Sequence, residues 1–249
     1  VMLAYLIVVS SSLLAFGRLA DIHGKRRIYL MGIVIFTLGS LACSLSRTIG
    51  LLIASRALQA LGTAMLFALS PALLVAAFPA SERGRALGIQ ATLTYLGLAL
   101  GPPLGGFLTQ HFGWPTIFSI NVPIGLAMWG LALVVLHPDR NGAGQPFDPI
   151  GAGAMAIGLA ATLFALSKGG EMGWRHPLIV TAALTGLLAL AALLLCEQHC
   201  RYPALDLKLF RNRRFAASMA AAWLSYVCAA SLSFLMPFRF LLGAGWEPA

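Results

Sequence analysis

Gly97-Leu98-Ala99-Leu100-Gly101-Pro102-Pro103-Leu104-Gly105-Gly106 lies inside an apolar run, 86–109, that is long enough to cross a membrane. Each interior glycine costs about 1 kcal/mol of helix propensity in water, and a mid-helix proline about 3 kcal/mol. A helix that keeps so many of them must gain from close backbone contact and a fixed bend. In lipid, neighbouring helices supply that gain. The stretch therefore reads as one transmembrane helix of a bundle, with Gly97, Gly101 and Gly105 forming a flat stripe for a close neighbour. Pro102 removes the hydrogen bond to the Leu98 carbonyl and predicts a bend. By itself this pattern is equally compatible with generic small-residue packing.

The rest of the chain fits the same solvent. Of its 249 residues, 59% are hydrophobic and only 10% charged, far from the balance of a soluble domain. Apolar runs of about 20 residues match a hydrocarbon core about 30 Å thick. Such runs fall at 1–20, 28–46, 49–78, 86–109, 118–136, 149–167, 177–196 and 215–238. Barrel strands would be half as long and would alternate. The expected fold is all-α, a polytopic bundle of about eight transmembrane helices.

A net charge of +9 raises the question of nucleic acid, but the basic residues are scattered singly and in short clusters between the apolar runs. They report topology instead. With the segment after the first run taken as cytoplasmic, that side collects Arg18, Lys25, Arg26, Arg27, Arg83, Arg85, Arg140, Arg201, Lys208, Arg211, Arg213 and Arg214. The other side holds Arg47, Lys168, Arg175 and Arg239. This is a positive-inside bias and places Val1 near the external face. Only Arg56 falls deep within a run.

Cysteine usage excludes a disulfide framework: Cys43 and Cys228 sit in apolar runs, Cys196 and Cys200 near a cytoplasmic end. Cys196, His199 and Cys200 can share a helical face, but three ligands without a second pair argue against a metal site. No nucleophile, base and orienter set lies in the spans, so an enzyme is not expected. The segment 137–148, rich in Gly, Pro and Asn, divides a bundle 1–136 from a helix pair 149–196. A basic linker, 197–214, precedes a last segment, 215–249. Asp148 and Pro149 suit the start of a helix. Val1 is already inside an apolar run and Glu247-Pro248-Ala249 follows one, so further helices are expected on both flanks.

Two segments carry spacing that a plain transmembrane reading does not explain. After the first run comes Gly17-Arg18-Leu19-Ala20-Asp21-Ile22-His23-Gly24-Lys25-Arg26-Arg27, read as a tight reversal in which Asp21 caps a helix start or pairs with a nearby arginine. Within the third run, Arg56, Gln59 and Thr63 stand at i, i+3 and i+7 and share one helix face. An arginine at the centre of a span costs about 2.5–3.5 kcal/mol even on the mild insertion scale, so such residues face a cavity and act there. The alternative is snorkelling, since Arg56 lies roughly 10 Å from the external end of its run.

These segments resemble the signature motifs of the major facilitator superfamily. Gly17, Asp21, Gly24, Lys25 and Arg26 resemble its motif A, a cytoplasmic latch between the two halves, with Ile22 where a basic residue is usual. Arg56 to Ala64 is similar to motif B, whose arginine is tied to proton coupling; Ala60 replaces a common glycine. Gly97, Gly101, Pro102, Gly105 and Gly106 resemble motif C, which marks antiporters. Trp114-Pro115-Thr116-Ile117-Phe118-Ser119-Ile120-Asn121-Val122-Pro123-Ile124-Gly125 is similar to a segment of the fourteen-helix drug:proton antiporters, with Asn121, Pro123 and Gly125 in place and Pro115 and Thr116 replacing an arginine and a tryptophan. The resemblance identifies 149–167 and 177–196 as the two helices that subfamily inserts between its halves, and 201–215 as the linker to its second half. The first helix and the last five of such a protein would then lie outside these residues.

The resemblance implies a multi-pass transporter of the bacterial cytoplasmic membrane that exports small amphipathic compounds by alternating access, driven by protons with no cofactor or metal. It implies a monomer, with room for periplasmic efflux partners and none for nucleic acid. All eight acidic residues sit in loops or at helix ends. The coupling carboxylate is accordingly expected in the first helix outside this chain, with Arg56 tuning its proton affinity. Ser10, Ser11, Ser12, Gln90, Thr94, Tyr95 and Asn121 are candidates for the path, with helix–helix hydrogen bonding as the alternative. Trp223, Tyr226 and Phe234 are candidate cavity walls, although packing suits them better; Trp174 and Trp246 suit interfacial anchors. The competing functional classes are an importer or metabolite carrier and a non-transporting sensor or scaffold.

Overall fold

A computed structural model describes residues 1–137, 149–199 and 212–243. All regular structure among them is helical, in the order α1 (Met2–His23), α2 (Lys25–Ser44), α3 (Ile49–Ala77), α4 (Arg83–Phe112), α5 (Thr116–Ser119), α6 (Asn121–Val135), α7 (Pro149–Met172), α8 (Pro177–His199) and α9 (Arg213–Gly243). Seven stretches among the described residues are long and apolar enough to cross a membrane, α5 and α6 counting as one; α8 adds a shorter apolar segment, Pro177–Leu193. The fold is an all-α bundle of membrane-spanning helices.

Local chemistry sets the boundaries. The expected reversal at 17–27 is almost entirely helix. The chain turns on Gly24 alone, at φ 98° and ψ 133°, a conformation that a side chain strains. Gly17 lies inside α1, where a Cβ would meet nothing within 4 Å, so neither turn nor contact requires it. Asp21 also belongs to α1 and pairs with Lys25 one turn on, at 3.7 Å, rather than capping a helix start. At α3 the Thr48 hydroxyl accepts the Leu51 N–H at 3.2 Å, a side-chain N-cap.

The fifth span starts earlier than the apolar run suggests. Pro123 has no N–H to give the Ser119 carbonyl, which separates the single turn α5 from α6, while Ile120 between them keeps helical angles. Both Pro102 and Pro103 are contained within the uninterrupted α4.

The chain divides into two units, Val1–Ala204 and Leu205–Ala249. In the first, α2 is the hub: it packs on α1, α3, α5 and α6, while α7 packs on α1 and pairs with α8. Lipid tails are as apolar as leucine, so burial drives little here and close van der Waals contact does the holding. The α2–α3 seam shows this. A Cβ at Gly62 would lie 2.4 Å from the Phe36 nitrogen, and one at Gly39 2.6 Å from the Gln59 backbone. Ala20, Ile28, Met65 and Leu69 fill the space beneath the Gly24 reversal. The α7–α8 pair has its own seam, where a Cβ at Gly186 would meet Thr162. In the second unit the described part is α9, whose first turn is met by the Asn212 side chain accepting the Arg214 N–H at 3.0 Å.

The segment 138–148, Cys200, most of the basic linker and Trp246 lie outside the described residues, as do the side chains of Cys196, His199 and Phe234.

Candidate functional site

The site is built from the polar face of α3. Arg56 is half-buried, and its Nη1 donates to Gln59 Oε1 at 2.7 Å, one helical turn along. Gln59, only 2% exposed, donates its Nε2 to Ser40 Oγ of α2 at 2.7 Å, and Ser40 donates to the Phe36 carbonyl at 2.8 Å. Hydrogen bonds therefore run in one direction from the guanidinium to the α2 backbone. A second series starts on α1, where the Tyr5 hydroxyl donates to Thr63 Oγ1 at 2.9 Å; Thr63 in turn donates to the Gln59 carbonyl at 3.0 Å. Both series meet at Gln59, the first at its side-chain amide and the second at its backbone carbonyl.

Two ring faces complete the setting of Arg56. Its Cζ lies 4.3 Å from the centre of the Tyr5 ring and 5.3 Å from that of Phe118 on α5. Such contacts attract a cation without neutralising it. Arg56 makes no ion pair among the described residues, and its Nε is buried without a hydrogen-bond partner. A fixed positive charge thus sits inside the bundle with one donor unspent.

Beside it opens a cavity of about 1030 Å³ between α1, α2, α3, α4 and α6, with Tyr5, Phe36, Thr63, Ser70, Gln90 and Thr94 on its wall. Gln90 Nε2 donates to Ser70 Oγ at 2.8 Å, and Thr94 donates back to the Gln90 carbonyl at 2.9 Å. Of the candidate path residues, Gln90 and Thr94 therefore face this space. Ser10, Ser11, Ser12, Tyr95 and Asn121 are not on its wall. Ser11 bonds the Val8 carbonyl and Asn121 that of Ile117, local bonds along the chain rather than bonds between packed helices.

The glycine-proline stretch stands apart. Gly97 is on the cavity wall, but a Cβ at Gly97, Gly101, Gly105 or Gly106 would meet nothing within 4 Å, and α4 buries no residue. The close neighbour expected for this stripe is not among the described residues. At the α1–α2 reversal, Arg26 donates an Nη2 hydrogen to the Leu133 carbonyl of α6 at 2.9 Å, tying the reversal to the far end of that helix. In the Trp114–Gly125 segment, Asn121 opens α6, Pro123 is its third residue, and Gly125 is buried against Thr37 of α2. Trp174, Trp223 and Tyr226 are exposed, each above 60%.

Sequence reasoning missed Tyr5, Ser40 and Phe118. Tyr5 and Ser40 sit in runs with no polar periodicity of their own, and only the fold brings them to α3. Phe118 lies in the segment 114–125, but nothing in its spacing points to Arg56.

The model of the Major Facilitator Superfamily matches residues 1–149. Among curated proteins, the chain is 37% identical over 239 residues to the riboflavin transporter RibZ of Clostridioides difficile, covering 96% of this chain and 51% of that protein. It is 34% identical over 221 residues to the multidrug resistance protein Stp of Mycobacterium tuberculosis, covering 88% and 41%. It is 33% identical over 248 residues to MdtD of Escherichia coli, which is named for multidrug resistance, covering 100% and 52%. The chain spans about half the length of these relatives or less.

Proposed function

We propose that this chain, which belongs to the Major Facilitator Superfamily, forms part of a proton-driven antiporter that exports small amphipathic compounds by alternating access. The family and its multi-pass helices make it membrane transport machinery rather than an enzyme. The observation that carries the finer reading is Arg56, a charge fixed inside the bundle without an ion-pair partner among the described residues. A carboxylate brought to that guanidinium loses its proton more readily, and one moved away regains it. Rocking that changes their separation therefore exchanges a proton across the membrane. The substrate path runs between this bundle and a second half outside these residues, and the protein works as a monomer in the bacterial cytoplasmic membrane. The glycine-proline stretch of α4 and the reversal at Gly24 serve as antiporter element and cytoplasmic latch, a reading that rests on motif resemblance.

The relatives named for multidrug resistance support export of foreign compounds. The relative named a riboflavin transporter favours a second reading, a metabolite carrier. Proton movement in membrane vesicles bearing the full-length protein separates them by direction. Antiport moves protons against the substrate; a proton-coupled importer moves both the same way. Absence of substrate-dependent proton movement removes the antiport reading.

A further inference from the structure

The segment Trp114–Gly125 has no task in this scheme, yet it touches Arg56 directly through Phe118. We infer that this segment is the positioning device of Arg56: it fixes the direction of the guanidinium while leaving its charge available. The inference rests on the reading that Arg56 couples proton movement to transport.

The geometry is specific. Gly113, at φ +82°, ends α4 and lets Pro115 begin the next turn. Trp114 and Phe118 then fall four residues apart, and their rings meet edge to face at 6.3 Å and 80°. That contact braces Phe118 with its face 5.3 Å from the Arg56 Cζ, while Tyr5 of α1 presents a second face at 4.3 Å. At the other end of the segment, Gly125 closes on α2, where a Cβ would lie 2.1 Å from Thr37 Oγ1. Thr37 is one turn from Ser40, which holds Gln59 and through it Arg56. One helix, α2, is thus the frame for both holders, the amide and the ring.

Ring faces suit this task better than a carboxylate. An acid at Phe118 would neutralise the guanidinium and leave nothing to act on a proton-bearing group. An aromatic quadrupole attracts the cation and does not cancel it. Among the described residues, the other titratable groups near Arg56 are the Tyr5 phenol, which donates to Thr63, and the Cys43 thiol of α2, which its charge influences. His111 of α4, in the ring cluster of Phe107 and Phe112, bonds back to the Phe107 carbonyl. Neither α3 nor α5 adds a further acid or base.

The test is the pH dependence of proton-coupled efflux by the full-length protein in everted vesicles. The probe is whichever of ethidium, rhodamine 6G and Hoechst 33342 the wild type exports fastest. Phe118→Leu is expected to move the pH midpoint upward by about 0.5–1 unit, because a carboxylate facing a wandering guanidinium keeps its proton longer. Phe118→Tyr, which keeps the face, is expected to restore the midpoint. Tyr5→Leu should shift it in the same direction and serves if Phe118→Leu does not accumulate. Lower rates with an unmoved midpoint in both leucine variants would overturn the inference, since a purely structural role predicts that. Arg56→Gln keeps the two levels apart. If it leaves coupling intact, the coupling reading itself fails; if it uncouples while the ring variants behave as wild type, only the positioning role fails.

Discussion

Two sets of helix glycines have opposite surroundings. Along the α2–α3 seam, Gly32, Gly39 and Gly62 are in such close contact that a methyl group at any of them would overlap a neighbour. Along α4, Gly97, Gly101, Gly105 and Gly106 face open space. The seam holds the bundle together and carries Gln59, hence Arg56, at its centre. The stripe holds nothing among the described residues. Glycine spacing marks a face able to accept a close neighbour, and only the neighbour's own residues decide whether it receives one.

The largest effect that would break this contrast is at the seam. Gly62→Leu places side-chain carbon against the Phe36 and Gly32 backbones, which cannot move aside. Its expected cost is about 3 kcal/mol or more, seen as loss of monodisperse folded chain in detergent. Normal folding would mean that the seam is looser than described. Gln59→Leu comes next. It keeps the volume but takes the acceptor from Arg56 Nη1, while Ser40 keeps its bond to the Phe36 carbonyl; the cost is roughly 2 kcal/mol, and thermal unfolding should register it. A variant as stable as the wild type would show that the amide bridge contributes nothing. Thr48→Ala, which removes a cap at the seam's outer end, is expected to cost about 1 kcal/mol in the same assay.

The stripe predicts the opposite sign. Gly101→Ala should leave these residues as stable or raise stability by up to about 1 kcal/mol, as helix propensity alone dictates. Gly101→Leu in the full-length protein sharpens the point. If a helix outside these residues closes on the stripe, transport is lost although this chain still folds; if transport is normal, the close-contact role of the stripe is wrong.

Much of this was legible beforehand, for definable reasons. Span positions follow from apolar length, and α3 was readable to its polar face because Arg56, Gln59 and Thr63 recur with helical period. Gly24 was expected at a reversal, although the sequence could not say that α1 would continue through Gly17 and Asp21 to within one residue of α2. The ring faces around Arg56 were not readable. Tyr5, Ser40 and Phe118 come from three other elements, and a pattern within one helix carries no information about which neighbour it meets. For the same reason, the more conspicuous stripe, on α4, has no close contact among the described residues, while the quieter glycines of α2 and α3 form a seam.

The central claim is that Arg56 is a fixed, available charge that couples proton movement to transport. It is tested most directly by substrate-driven proton movement in vesicles, comparing the full-length wild type with Arg56→Gln at equal protein density. Proton movement opposite to the substrate in the wild type, lost in Arg56→Gln while substrate binding persists, is the predicted result. Equal proton movement in both proteins would contradict it.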